Sequence, residues 1–187
     1  MPRNADRLDM SVTFQPVNIA VMTVSDTRTE ADDKSGSLLV SRIEEDGHVL
    51  ADRAIITDDV PRIFARLIEW IESPQVVVVG TTGGSGLTGR DSTPEAFAAI
   101  VEKDIPGFGE LFRMLSFEKI GTSTVQSRAL AGVAGGTYLF ALPGSTSACK
   151  DGWDDILRYQ LDIRHRPCNF VEIMPRLNES AMTRRTG

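Results

Sequence analysis

The chain has 187 residues, of which 41% are hydrophobic and 25% charged, and its net charge at pH 7 is −6. That length suits one domain with a sizeable core, and the composition is that of a soluble globular protein. The acidic balance argues against nucleic acid or an anionic membrane as the main partner, so an anionic ligand would need donors gathered locally.

Residues 1–14 lack the apolar core of a signal peptide and read as a polar, flexible start. A single domain is expected over 15–177, and 178–187 reads as a second flexible, polar end. Val17 to Val24 (VNIAVMTV) is a buried strand that ends in Ser25-Asp26. Leu38, Leu39 and Ile43 share a helical face over 34–46, and Gly47 supplies the stop. A second strand lies within 48–57, clearest at Ala54-Ile55-Ile56, with Asp58 and Asp59 at its end. Val60, Ile63, Phe64, Leu67, Ile68 and Ile71 then recur at three- and four-residue spacing, which predicts a helix closed by Pro74.

The chain is organised around Val76 to Glu95, VVVVGTTGGSGLTGRDSTPE. Consecutive valines suit a strand buried on both faces. The ten residues from Gly80 to Gly89 include five glycines, which lets backbone N–H groups approach a ligand closely. Thr93-Pro94-Glu95 reads as a hydroxyl cap followed by proline at the first helical position. A buried strand, a glycine loop and a helix start together make an anion cradle.

Two phosphate motifs nearly fit this loop and fail. Gly84, Gly86 and Gly89 match G-x-G-x-x-G, but no second strand with a terminal acid follows the helix, which runs into Ile105-Pro106-Gly107-Phe108-Gly109. The P-loop pattern fails because Arg90 and Asp91 stand where lysine and a hydroxyl belong. A carboxylate beside a phosphate is unfavourable unless it holds a cation, so Asp91 points to a magnesium-assisted site; the alternative is a helix cap.

Beyond the loop, a helix is expected from Pro94 to about Lys103 and another over 107–116. Ser123 to Ala131 reads as a third, short helix, and Thr137 to Leu142 as a strand. Pro143-Gly144-Ser145 then leads into a long amphipathic helix carrying Ala148, Trp153, Ile156 and Leu157. The longest uncharged run, 129–149, is broken by glycines, a proline and hydroxyls and does not span a membrane. Cys149 and Cys168 lack metal-ligand spacing and read as reduced thiols of a cytoplasmic protein. His48 and His165 form no catalytic pair by sequence.

Alternating strands and helices imply a parallel sheet covered on both faces, with ligands bound outside the carboxyl ends of the strands. Four loops meet that description: Ser25-Asp26, Asp58-Asp59, the glycine loop and Pro143-Gly144-Ser145. One of Asp58 and Asp59 suffices as a helix cap, which leaves the other to face the site.

TTGGSG at 81–86, GRDSTPEA at 89–96, IPGFGELFRMLS at 105–116, QSRALAG at 126–132 and FALPGS at 140–145 together resemble the molybdenum cofactor biosynthesis family that includes the MoaB and MogA proteins. The likeness covers about 17–170, and GTSTVQSRALAGVA with RPCNF leans toward the B branch. It implies a three-layer α/β/α fold with a mostly parallel sheet, assembled as a trimer or hexamer; Phe108, Phe112 and Met114 read as core or subunit interface, and Phe108, Phe112 and Trp153 are candidate interface residues. It also implies adenylylation of molybdopterin by ATP with magnesium, releasing pyrophosphate, and possible contacts with other proteins of the pathway. Carried across by position, Asp58 and Asp91 become the catalytic and metal-holding pair. Thr82, Gly83, Gly84, Ser85 and Gly86, with Pro143, Gly144 and Ser145, bind the nucleotide. Ser25, Asp26, Ser116, Ser127 and Arg128 bind molybdopterin. Ser85 stands where the family has threonine, a swap that keeps the hydroxyl. The competing expectation is a non-catalytic pterin- or nucleotide-binding oligomer of the same pathway. A nucleoside triphosphatase is disfavoured by the missing P-loop lysine.

Overall fold

The computed structural model describes residues 7–179. Six strands form one mixed sheet: β1 (Asn18–Val24), β2 (Val49–Ile56), β3 (Val78–Thr82), β4 (Lys103–Asp104), β5 (Leu130–Ala134) and β6 (Thr137–Leu142). Their spatial order is β2-β1-β3-β6-β5-β4. The first four in that order run parallel, whereas β5 is antiparallel to both of its neighbours.

Side chains alternate across a strand, and the sheet is packed on both faces. Ile19 and Val21 of β1 face one core cluster with Val78, Phe140 and Leu142. Against it pack α1 (Lys34–Glu45) through Leu39 and Ile43, and α4 (Pro106–Ile120) through Phe108 and Phe112. Trp153 and Leu157 join this cluster; they lie just after α5 (Thr146–Gly152), in a π-turn (Trp153–Leu157) that runs into the short α6 (Arg158–Gln160). Ala20 and Met22 face the other cluster, with Ile63, Leu67 and Trp70 of α2 (Val60–Glu72) and Phe97 of α3 (Thr93–Ala98). The result is the expected three-layer α/β/α arrangement.

Several local expectations are corrected. The helix expected from Pro94 to Lys103 ends at Ala98, and Lys103–Asp104 form the edge strand β4. Thr93 is itself the first helical residue, and Ser92 occupies the cap position. The short helix expected over Ser123–Ala131 is a 3-10 turn, Gly121–Gln126, followed by strand β5. Strands β5 and β6 form a hairpin whose turn, Gly135-Gly136, has φ of 56° and 84°, the two positive values that tight hairpins need. Phe108, Phe112 and Trp153 are at most 3% exposed in the core, so they do not lie on the surface. Exposed apolar side chains on α4 are instead Leu111, Met114, Phe117 and Ile120.

The flexible start expected over 1–14 also differs over 7–14. Leu8 bridges His165, Asp9 N–H donates to Arg164 O at 2.8 Å, and Arg164 lies over the Phe14 ring. The earlier residues of that expectation, and 180–187, lie outside the described residues. Asn178 and Glu179 of the expected flexible end are described, and Glu179 pairs with Arg176. Among the described residues, no helix is long and apolar enough to cross a membrane.

A cleft at the carboxyl ends of the strands

Strands β1, β2, β3 and β6 all deliver their carboxyl ends to the same side, and the loops that follow them interlock there. The loop after β3 is shaped by its glycines. Gly83 and Gly84 have φ of 92° and 62°. A Cβ at 84 would stand 2.7 Å from Val24 Cγ1 and 2.9 Å from Asp58 Oδ2. The chain therefore passes where only glycine fits, and it passes against an aspartate. Thr93, fully buried, donates its hydroxyl to Gly83 O at 2.9 Å and its N–H to Gly84 O at 2.8 Å. Its hydroxyl ties the loop and does not cap the helix.

The aspartate pair after β2 divides its work. Asp59 caps α2, accepting from Arg62 N–H at 3.0 Å. Asp58 points the other way: its Oδ1 accepts the N–H and hydroxyl of Ser92, at 2.9 and 2.5 Å, leaving Oδ2 beside Gly84. Asp91 lies within the glycine loop. Its Oδ2 accepts from Thr88 N–H at 2.8 Å and from the Thr88 hydroxyl at 2.6 Å. The Thr88 hydroxyl, helped by the Thr88 and Gly86 amides and the charge of Arg128, holds the Asp91 carboxyl below its ordinary range against a smaller opposing effect of burial. Asp91 is thus ionised at neutral pH, and it caps a turn of its own loop, not the following helix.

The loop after β6 meets the glycine loop directly. Gly83 N–H donates to Leu142 O at 3.2 Å, and the Thr82 hydroxyl donates to Pro143 O at 3.1 Å. Ser145 caps α5 through Ala148 N–H. Arg28, from the loop after β1, donates to Gly144 O at 3.1 Å and to Ser35 Oγ at 2.6 Å. Beneath the junction, the Cys149 thiol donates to Thr82 Oγ1, and burial pushes its pKa up to about 11.

Between these loops and α4 lies a cleft of about 430 Å³. One wall is Gly83, Gly84, Ser85, Gly86 and Asp91, with Pro143, Gly144, Ser145 and Ala148 beside it. The opposite wall comes from α4 and the turn after it: Phe112, Ser116, Ile120, Ser123, Thr124, Gln126 and Ser127. The structure thus gathers the expected nucleotide loops with Asp91, Ser116 and Ser127. Thr82 lies beneath the cleft, and Asp58 sits behind the glycine loop. Ser25 spends its hydroxyl on Thr27 and Arg28 N–H groups, and Asp26 accepts from Asp58 N–H and pairs with Arg90. Arg128 also stays outside the lining, its guanidinium bound to the back of the glycine loop. Sequence reasoning missed Ser92, Thr88 and Gln126; the run of hydroxyls in LTGRDST was the available signal for the first two.

A magnesium ion commonly takes one or two carboxylates and completes its shell with phosphate oxygens and water. The Asp91 carboxylate, which lines the cleft, suits that mode, whereas Asp58 lies outside the lining with its Oδ2 beside Gly84. Among the described residues, no cluster of three or more carboxylates, histidines or cysteines forms a self-sufficient cage.

The family model described as "Probable molybdopterin binding domain" matches residues 20–163. The molybdenum cofactor biosynthesis protein B of Escherichia coli (strain K12) is 52% identical over 161 residues, covering 86% of this chain and 95% of that protein. Its namesake from Bacillus cereus is 44% identical over 135 residues, covering 72% and 80%. A crystal structure of a molybdenum cofactor biosynthesis protein B aligns with a TM-score of 0.79 at 37% identity, covering 88% of this chain and 98% of that one.

Proposed function

This chain belongs to the molybdenum cofactor biosynthesis protein family, and from that premise we propose that it binds molybdopterin in the cleft and adenylylates it with magnesium-ATP. The observation that carries this reading is the convergence on one cleft of the glycine loop, Asp91, Ser116, Ser127 and Pro143-Gly144-Ser145. A nucleotide and a second phosphorylated ligand need separate sets of donors, and the two walls supply them.

In the proposed reaction, an oxygen of the molybdopterin phosphate bonds to the α-phosphorus of ATP. The α–β anhydride bond breaks, and pyrophosphate leaves. Two anions must be held together, so most of the catalysis is positioning and charge neutralisation. The amides of 84 and 85 and the 143–145 loop cradle the nucleotide phosphates. Ser116 and Ser127 hold the pterin side. Asp58 and Asp91 would hold magnesium, whose positive charge would offset that of the phosphates. Neither aspartate needs to move a proton, because a phosphate oxygen is already a nucleophile at neutral pH.

The reading extends to a homo-oligomer, trimer or hexamer, in which the exposed Leu111, Met114 and Phe117 face a second copy. Sedimentation should then give a multiple of three times the 20.4 kDa chain mass; a monomer would contradict this part.

The direct test of the reaction is transfer of labelled AMP from magnesium-ATP to molybdopterin. Wild type should form pterin-dependent product, and Asp58→Asn and Asp91→Asn should each abolish it. Molybdopterin binding with no product would replace the enzyme with a non-catalytic pterin-binding protein.

A further inference from the structure

The Arg128 side chain grips the glycine loop itself. Its Nε donates to Gly86 O at 2.9 Å and Ser85 O at 3.3 Å, and Nη2 donates to Asp91 O at 3.3 Å. Nη1 pairs with the Glu95 carboxylate in the first turn of α3. The guanidinium therefore ties the start of the loop, its end and the following helix at a single point.

We propose that Arg128 is a positioning residue, which shapes the glycine loop and aims Asp91 from behind, and does not itself contact the phosphates. The inference rests on the reading of the cleft as a phosphate-binding site. Three observations support it. First, Arg128 does not line the cleft, whereas Ser127 beside it and Gly86, which it holds, both do. Second, the C=O and N–H of a planar trans peptide point in opposite directions. Pulling the Ser85 and Gly86 carbonyls toward Arg128 turns the Gly86 and Leu87 N–H groups the other way. Position 86 accordingly lies against the Asp91 carboxylate. Any side chain at 86 would meet that carboxylate, with Asp91 Oδ2 only 2.6 Å from the Cβ. Third, Glu95 neutralises the guanidinium, so Arg128 offers little attraction to an incoming anion. Its five N–H donors form a fixed fork, which suits several fixed carbonyls better than a lysine ammonium does.

The test compares wild type, Arg128→Lys, Arg128→Gln and Glu95→Gln in two measurements. The first is hydrogen exchange of the 85–91 amides in the unliganded protein. The inference predicts faster exchange there in all three variants, with the core strands unchanged. The second is magnesium-ATP affinity at several salt concentrations, well below the unfolding temperature. Arg128→Lys, which keeps the charge, should weaken binding by about tenfold. Glu95→Gln should also weaken it, and the salt dependence should match wild type in every variant. A guanidinium that touches phosphate gives the opposite pattern. Glu95→Gln, by freeing the charge, would tighten binding, and Arg128→Gln would flatten the salt dependence. That pattern, or unchanged exchange at 85–91, overturns the inference. If wild type itself takes up no magnesium-ATP, the adenylylation reading fails, and loop exchange still decides the role of Arg128.

Discussion

The molecule has a cavity at each end of its parallel strands, and the two are built on opposite principles. At the amino ends, about 300 Å³ is enclosed by Leu8, Phe14, Asp46, His48, Arg158, Tyr159, Asp162 and Arg164. Its charges satisfy one another: Arg158 bonds Asp46 at 2.8 Å, and Arg164 grips both oxygens of Asp162. At the carboxyl ends, the cleft wall is largely main chain, glycine and hydroxyl. Two arginines nearby brace that wall from outside, Arg128 behind the glycine loop and Arg28 on Gly144. Charge closed on itself stabilises a fold, whereas charge spent on shaping a loop leaves the cleft wall itself to main chain and hydroxyls.

The sharpest way to break this contrast is at Gly84. Alanine there must adopt a left-handed conformation, at about 1–2 kcal/mol, and also displace Val24 and Asp58 from its Cβ. Gly84→Ala should therefore abolish ligand binding at the carboxyl end and lower the denaturant midpoint. Wild-type affinity in this variant would mean the loop is not the cradle.

The complementary change is Arg164→Ala at the amino end. It takes the guanidinium from Asp162, which is only 6% exposed and keeps the bond from the 164 N–H, and should cost about 2 kcal/mol of stability in denaturant titrations while leaving molybdopterin affinity unchanged. A drop in affinity would join the two ends functionally.

The amino end should also impose a pH dependence. Val17 N–H donates to His48 Nδ1, so the ring proton sits on Nε2, which has no hydrogen-bond partner. Burial pulls the His48 pKa below 6.5, against weaker opposition from Asp46 and Asp162. As pH falls below 6.5, the unfolded chain takes up a proton that the folded chain resists. Stability should decline there and level off below the folded value. His48→Gln should flatten this limb in thermal melts, and an unchanged limb would assign it elsewhere.

The smallest effect concerns the thiols. Cys149 is fully buried, with its pKa near 11, and Cys168 is exposed. A thiol reagent at neutral pH should label Cys168 alone in the native protein. Native labelling of Cys149 would mean that the junction beneath the cleft opens.

Much of this was legible in the sequence because the parallel half of the fold announces itself. Strand β1 is a mostly apolar run, β3 begins within the valine run, and α2 carries its apolar face at helical spacing, though Trp70, which completes that face and donates to Asp52, went unread. The antiparallel edge was hidden. Strand β4 is two charged residues, and β5 reads LAGVA, where small residues are needed because a Cβ at 132 would meet Val101. Only Gly135-Gly136 betrayed the hairpin. At the site, the motifs identified which loops matter but not how their side chains are spent. A guanidinium beside a phosphate-like loop reads as a ligand contact until its four acceptors are seen. The split between Asp58 and Asp59 likewise depends on Ser92, thirty-four positions from Asp58.

The central claim is that the carboxyl-end cleft, not the amino-end cavity, takes the ligands. Hydrogen exchange with and without saturating molybdopterin and magnesium-ATP tests it most directly. The account predicts protection at 83–91, 116–127 and 143–145, with no change around Leu8, His48 and Arg164. Protection confined to that second set would contradict it.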